Sequence, residues 1–292
     1  MLYDGVMGSY PPTPDPEILP PAPSYEPPPP QQEVRRRRRV WAASPATHLL
    51  IAINCLVFLA MVAHRVSAAT PDSYQLIRWG ADNAGMVLIG GDWWRIVTAM
   101  FVHVGLLHLV LNMWCLWNLG LVAEPLLGSV GVFAVYILTG AAGNLLSTFV
   151  NWWLYSPDWF RYHELAAFPT GAGASGAVFG IAGALIVLLK SPRLPVPPFE
   201  LRKLRKSVIY FAAINLVIGF AISFGAAVAQ AGLRIDNMAH LGGFSSGLLF
   251  AAPLVPRLGS PRPVFHSRLR LAVLLLVGLL VLFGFYLANL AG

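Results

Sequence analysis

Charged side chains are scarce in this chain of 292 residues. Asp, Glu, Lys and Arg together make up 11% of the sequence, whereas hydrophobic residues make up 57% and the mean hydropathy is +0.64. A soluble domain carries about a quarter charged residues, so this composition excludes an ordinary soluble enzyme or binding module. The sequence predicts a protein that crosses the lipid bilayer several times.

Cysteine and several functional motifs are also scarce or missing. The two cysteines, Cys55 and Cys115, fall within predicted helices and are interpreted as apolar packing residues, although a disulfide between them stays open. There is no HExxH zinc motif, and Ala177 stands where the hydrolase motif GxSxG needs glycine. We therefore expect no metal and no cofactor. No signal peptide or organelle-targeting segment is evident, which makes the bacterial plasma membrane the default location.

Seven apolar segments are long enough, or nearly so, to cross a bilayer as helices, since one crossing needs about 20 residues. They run over approximately 47–64, 96–122, 127–153, 172–190, 207–230, 236–255 and 270–290. The sequence therefore predicts an all-α fold, a polytopic membrane helical bundle.

Positive charge is distributed unevenly between the two sides of this bundle. With a cytoplasmic N-terminus, fifteen of the twenty Lys and Arg lie on the cytoplasmic side. They fall in 1–46, 123–126, 190–206 and 256–269, with Arg270 at the last edge. The positive-inside rule therefore favours a cytoplasmic N-terminus and an external C-terminus. The net charge of +7 then serves orientation and attraction to the lipid bilayer, and nucleic acid is not expected as a partner.

The first 46 residues differ in kind from the rest. Segment 11–30 is so rich in proline that it cannot form a helix or a packed core, and an arginine run follows at 35–39. We interpret residues 1–46 as a disordered cytoplasmic tail. The tail is a spacer or a docking segment for a partner of the SH3 type.

The predicted spans contain a few polar residues, and each needs a reason because polar groups are costly in lipid. His108 and Asn112 are four residues apart on the second predicted helix and share one face. His103 precedes His108 by five residues, points about 140° away, and is expected to brace a loop or a neighbouring helix. Ser175 begins the fourth predicted helix and His240 lies near the start of the sixth. All three helices descend from the external side, so these groups lie at one depth.

Two glycine motifs allow the fourth and sixth helices to approach each other closely. GAVFG (176–180) and GFSSG (243–247) place glycines four residues apart, as in closely packed membrane helices. We infer that packing along these faces brings Ser175 and His240 within hydrogen-bond distance. A neutral imidazole can take the proton of a serine hydroxyl and make it a nucleophile. The sequence provides no buried carboxylate to orient the histidine, so a Ser–His dyad is predicted rather than a triad.

Three motifs carry a family resemblance: HVGLLHLVLN (103–112), GASG (173–176) and AHLGGFSSG (239–247). They resemble the signatures of the rhomboid family of intramembrane serine proteases. The resemblance implies Ser175 as the nucleophile and His240 as the general base. It implies that His108, Asn112 and the backbone amide of Ser175 stabilise the oxyanion.

The resemblance also implies a six-helix core over residues 47–256, followed by a loop and an extra transmembrane helix over 257–292. Ten further residues are assigned supporting roles: Trp94, Arg95, His103, Glu124, Gly173, Gly176, Phe179, Asn237, Gly243 and Gly247. Phe179 stands where the family often has tyrosine, and we expect its ring to stack on His240. Glu124 is expected to reach water or an arginine at the cytoplasmic end of the second helix.

Each of these residues taken alone has a plainer interpretation. Ser175 could ease helix packing, His240 could bond a neighbouring helix, and His108 with Asn112 could line a polar cavity. Together they favour an endopeptidase that cleaves the transmembrane helix of a client protein. The alternative is a catalytically silent rhomboid-like protein that binds transmembrane clients. A channel or transporter is a more distant alternative, because the polar groups cluster in the outer third of the bundle.

Overall fold

The computed structural model of the protein describes residues 44–154, 168–191, 194, 197–224 and 236–291. The proline-rich tail and the arginine run at 35–39 lie outside the described residues. The helices in chain order are α1 (Pro45–Ala63), α2 (Ser73–Arg78), α3 (Ala84–Leu88), α4 (Arg95–Thr98), α5 (Leu106–Leu154), α6 (Ser175–Leu188), α7 (Pro198–Phe224), α8 (Asn237–Ala251) and α9 (Arg262–Ala291). Two short strands, β1 (Asp82–Asn83) and β2 (Thr170–Gly171), and two 3-10 turns, Ala99–Phe101 and Ala252–Arg257, complete the described elements.

The predicted all-α membrane bundle is confirmed. Four described helices are long and apolar enough to cross a membrane: α1, α5, α8 with its following turn, and α9. Helix α5 has 49 residues and is broken at Gly128, where φ is 73°. Its two halves correspond to the second and third predicted segments. The shorter apolar helix α6 and the longer α7 cover the described parts of the fourth and fifth.

The second predicted segment begins later than its apolar composition indicates. Residues from Arg95 to Phe101 form α4 and a 3-10 turn, and the transmembrane helix starts only at Leu106. Gly105 precedes that start with a φ of 117°, and a Cβ there would lie 2.5 Å from the carbonyl oxygen of Ala69. The chain therefore turns at Gly105 before α5 begins. At this turn its backbone packs against the loop that contains Ala69.

Within the described ranges, Glu124 binds the start of α1 rather than water or an arginine. Its carboxylate is buried and accepts hydrogen bonds from the backbone N–H groups of Ala46 and Thr47, each at 2.9 Å. The hydroxyls of Thr47 and Ser129 also donate to it, at 2.6 and 2.7 Å. The first N–H groups of a helix lack partners within the helix, so a carboxylate binds them well.

Helix α6 lies at the centre of the bundle, buried against α5 and α8. Its contact with α8 is made by backbone rather than by large side chains. A Cβ at Gly243 would overlap the carbonyl oxygen of Gly176, and one at Gly247 would overlap that of Gly180. Helices α6 and α8 therefore pack along the two glycine motifs.

The two short strands join distant parts of the chain. Asp82 pairs with Gly171 and Asn83 with Thr170 in an antiparallel register. The Asn83 side chain also donates to the carbonyl of Phe168 at 3.0 Å. The segment that leads to Ser175 is thus fixed to the loop that follows α2.

The seventh predicted helix, α9, packs against the outside of α5. Leu287 is fully buried in a cluster with Val87, Ile96 and Leu145. Phe283 lies 5.8 Å from Phe149, measured between ring centroids. The end of α9 therefore contacts both α5 and the short helices that precede it.

Candidate active site

Ser175 is the first residue of α6, and a glycine turn brings the chain to it. Gly173 has a φ of 129°, and a Cβ there would lie 2.5 Å from Cε1 of His108. Its N–H donates to the carbonyl of Ala99 at 2.9 Å. Only glycine satisfies both the backbone conformation and the close approach of the imidazole. Ser175 lies two residues after this glycine, and its side chain is half-buried.

His240 lies in the first turn of α8 and faces Ser175 across the glycine contact. Its Nε2 is 2.9 Å from the Ser175 hydroxyl oxygen, and the imidazole is buried. The distance suits a hydrogen bond from the hydroxyl to the ring nitrogen. The other ring nitrogen, Nδ1, has no hydrogen-bond partner among the described residues. Among the described residues, Ser175 and His240 thus form a hydrogen-bonded pair, without a third side chain bound to Nδ1 of the histidine.

The Phe179 ring stacks on the His240 imidazole. The ring centroids are 4.4 Å apart and the planes differ by 13°. Phe179 is one turn after Ser175 on α6, so the same helix supplies the hydroxyl and the face that limits imidazole rotation. Tyrosine is therefore not needed for ring stacking at this position.

His108 and Asn112 lie on the first two turns of α5. The His108 imidazole lies against Gly173, which brings it beside the turn that leads to Ser175. Asn112 is buried one turn further on, and its amide donates to the carbonyl of His108 at 2.9 Å. That bond uses one of the two amide hydrogens, so a second remains for another acceptor.

His103 lies in the loop before α5, and the prediction that it is part of the second helix is wrong. The chain has not yet reached Leu106, where the helix begins. The buried imidazole accepts from the backbone N–H of Ala174 at 3.5 Å, and its ring centroid is 5.4 Å from that of His108. His103 therefore supports the backbone immediately before Ser175.

Trp94 and Arg95 stabilise the loop before α5. The guanidinium carbon lies 4.4 Å from the centre of the Trp94 ring, a cation–π contact. Arg95 is buried, donates to Asp92 at 2.9 Å, and donates to the carbonyl of Ile77 at 2.6 Å. Trp94 and Arg95 therefore stabilise the conformation of this loop. Their described contacts do not include Ser175 or His240.

The sequence did not indicate a group of polar residues around the start of α8. Asp236 caps the helix by accepting from the N–H of Ala239 at 2.9 Å, and Ser147 donates to the same carboxylate at 2.6 Å. Asp82 accepts from Thr148 at 3.1 Å. An acidic residue directly before a predicted helix is a capping signal that could have identified Asp236. Asn237, the first residue of the helix, is buried.

The described residues offer no cluster of three His, Cys, Asp or Glu side chains that could hold a metal ion. Both cysteines are free. The chemical groups of the site are thus a hydroxyl, an imidazole that touches it, and hydrogen-bond donors near the start of α6.

These features define a polytopic helical membrane protein with a serine and a histidine paired between two closely packed helices. Residues 90–257 match the family model described as the Rhomboid domain, and the chain belongs to the rhomboid family. The predicted family resemblance is confirmed. Membership supports a protease-type function within the membrane.

Several known proteins are similar to this chain. It is 32% identical over 241 residues to Rhomboid protease GluP of Bacillus subtilis, covering 82% of this chain and 40% of the relative. It is 31% identical over 180 residues to RHOMBOID-like protein 1 of Arabidopsis thaliana, covering 61% and 39%. It is 30% identical over 209 residues to Rhomboid protease AarA of Providencia stuartii, covering 70% of each chain. The similar region thus spans about two fifths of the first two relatives.

Proposed function

We propose that the protein is an active intramembrane serine endopeptidase in which Ser175 is the nucleophile and His240 is the general base. The observation that carries this proposal is the 2.9 Å contact between the serine hydroxyl and Nε2 of the imidazole. A hydroxyl at this distance from a neutral imidazole can lose its proton as it attacks a carbonyl carbon. The same contact argues against a catalytically silent client-binding protein, because such a protein needs neither group.

The reaction follows from these two residues. The Ser175 oxygen attacks the peptide carbonyl while Nε2 of His240 takes the hydroxyl proton. The tetrahedral intermediate then collapses, and His240 gives that proton to the leaving amine. Water attacks the resulting ester, with His240 again as the base, and the free acid and the serine hydroxyl are restored. The nitrogen Nε2 must begin unprotonated, so the imidazole carries its hydrogen on Nδ1.

The oxyanion of the intermediate would be stabilised by three groups. His108 lies beside Gly173, Asn112 has a second amide hydrogen, and the N–H of Ser175 belongs to the first turn of α6. The first N–H groups of a helix have no partner within it and favour an anion. Removing one donor of this kind typically costs about a hundredfold in rate.

The substrate would be a transmembrane segment of another protein. A helical peptide hides its carbonyl groups in internal hydrogen bonds, so a client must unwind locally before Ser175 can reach a carbonyl. We further propose a cytoplasmic N-terminus, an external C-terminus, and a location in a bacterial plasma membrane. The catalytic core would be residues 47–256, with the tail 1–46 recruiting a partner or acting as a spacer.

The test uses the full chain in liposomes with a fluorogenic transmembrane peptide. Ser175→Ala should reduce cleavage by at least about a thousandfold, because no other described hydroxyl contacts His240. Ser246→Ala is the matched control: its hydroxyl is buried on α8 but donates to the carbonyl of Gly243. The control should keep most of the activity. A fluorophosphonate probe should label wild type and Ser246→Ala but not Ser175→Ala. Absence of both cleavage and labelling in wild type would favour the silent client-binding protein.

A further inference from the structure

Two carboxyl groups flank one glycine close to the proposed catalytic pair. A Cβ built on Gly171 would lie 3.0 Å from Oδ2 of Asp236 and 3.9 Å from Oδ2 of Asp82. Asp82 is in β1, directly opposite Gly171 in β2. Asp236 is the residue before α8. Both acids therefore lie beside Gly171, in the strand pair that leads to Ser175 and at the start of the helix that carries His240.

The hydrogen bonds to Asp236 are those of an ionised carboxylate. Its Oδ1 accepts from the N–H of Ala239 at 2.9 Å and its Oδ2 accepts from the Ser147 hydroxyl at 2.6 Å. Each oxygen thus has a donor. The charge also lies at the N-terminus of α8, where a negative group is stabilised by the helix dipole.

The contacts of Asp82 leave room for a proton on one of its two oxygens. The Thr148 oxygen is 3.1 Å from both oxygens of the Asp82 carboxyl, which is only 3% exposed. A threonine hydroxyl has one hydrogen and can donate fully to only one of them. A proton on Asp82 would make the second contact a hydrogen bond to the threonine oxygen.

Burial and the nearby charge of Asp236 also favour the protonated form of Asp82. Burial, and then the charge of Asp236, raises the pKa of Asp82 to about 8, against the opposing effects of Thr148, the N–H of Asn83 and the Arg95 guanidinium. Burial also raises the pKa of Asp236, although its donors lower it. In the described part of the chain, the charged or titratable groups near the pair are Arg95 from α4 and His240 from α8, whose imidazole points to Ser175. Two carboxylates this close cannot both be ionised at low cost.

We propose that the Asp82–Asp236 pair shares a single proton at neutral pH, carried by Asp82 while Asp236 stays ionised, and thereby holds the start of α8 against the strand that leads to Ser175. They are positioning residues, because neither touches Ser175 or the His240 imidazole in the described contacts. When the proton is lost, two like charges face each other across Gly171. Their repulsion separates β1 from the start of α8 and lengthens the contact between Ser175 and His240. The effect on catalysis rests on the proposed protease function, whereas the shared proton does not.

The shared proton is tested through stability and does not require any proteolysis. The folded protein keeps a proton on Asp82 that the unfolded chain loses above about pH 4, so the stability of wild type should fall as pH rises from about 4 toward about 8. Asp82→Asn is neutral and close in shape, so its melting temperature should lose this slope. Between about pH 5 and pH 8.5 the difference between the two proteins should change by roughly 10 °C. Asp72→Asn, an exposed helix cap outside the pair, should keep the wild-type slope.

The same variants test the effect on catalysis. Cleavage by wild type and by Asp72→Asn should decline on the alkaline side with a midpoint near pH 8, whereas Asp82→Asn should retain its activity there.

In wild type, the infrared band of a carboxylic acid should be present at about pH 7 and lost by about pH 9.5. The infrared measurement tests the shared proton even if Asp82→Asn does not fold. Absence of the band, or an equal pH slope of stability in wild type and Asp82→Asn, would overturn the shared proton. An unchanged alkaline midpoint in an active Asp82→Asn protein would overturn the positioning role. A wholly inactive wild type would instead count against the proposed protease.

Discussion

At the scale of single residues, Gly173 is the position where the backbone most directly limits the site. Its φ of 129° and the nearby His108 imidazole both exclude a side chain. Gly173→Ala should therefore displace the turn before Ser175 and the imidazole together. We expect cleavage to fall about a hundredfold or more, comparable with the loss of an oxyanion donor. The measurement is the rate of cleavage by the folded variant in liposomes.

Gly91 provides the matched control for this substitution. Its φ of 76° is also in the left-handed region, but nothing lies within 4 Å of a Cβ built there. Gly91→Ala should therefore cost about 1–2 kcal/mol of backbone strain without a comparable loss of cleavage. Equal losses of activity in the two variants would show that backbone strain, rather than contact with His108, explains the effect of Gly173→Ala.

Much of the candidate site was predictable from local spacing and motif resemblance. The residues Ser175, His240 and Phe179 lie on apolar helices where a polar group or ring of this kind is easily noticed. Asp82 and Asp236 were missed because their meeting depends on a two-residue strand pair between chain segments far apart in sequence. The contact of His108 with Gly173 likewise depends on a backbone angle, which spacing on a helix does not reveal.

At the scale of helices, the contact between α6 and α8 depends on the absence of side chains. A Cβ at Gly247 would overlap the carbonyl oxygen of Gly180, which a backbone cannot relieve by changing a rotamer. Gly247→Ala should separate the two helices and lower stability by about 1–3 kcal/mol, as overpacking against rigid neighbours does. Cleavage should fall as well, because the same two helices carry Ser175 and His240. Thermal unfolding in detergent and the cleavage rate measure the two effects.

The control is Gly278 on α9, where no atom lies within 4 Å of an added Cβ. Alanine is favoured over glycine inside a helix by about 1 kcal/mol, so Gly278→Ala should be neutral or slightly stabilising. A similar small gain from Gly247→Ala would contradict close backbone packing between α6 and α8.

At the scale of the whole molecule, hydropathy predicted a bundle of apolar helices and their order along the chain, but not how each helix begins. The second segment reads as one apolar run, yet α4, a 3-10 turn and a loop precede the transmembrane helix. Apolar residues pack equally well in short buried helices and in long ones, so composition alone cannot locate the break at Gly105. The contact of Glu124 with the start of α1 was missed for a related reason. Two of the four donors to its carboxylate are backbone N–H groups, and these carry no signal in the residue type.

The seventh helix is an integral part of the fold rather than a separate membrane anchor, and one pair of leucines tests this. Leu287 is fully buried against the α3–α5 region, whereas Leu282 on the same helix is 69% exposed. Leu287→Ala should leave a cavity and lower the free energy of unfolding by about 3 kcal/mol. Leu282→Ala should change stability little, because the Leu282 side chain is exposed. Cleavage at low temperature should persist in both variants, since α9 carries none of the proposed catalytic groups. Equal melting temperatures for the two variants would mean that α9 does not stabilise the core through Leu287.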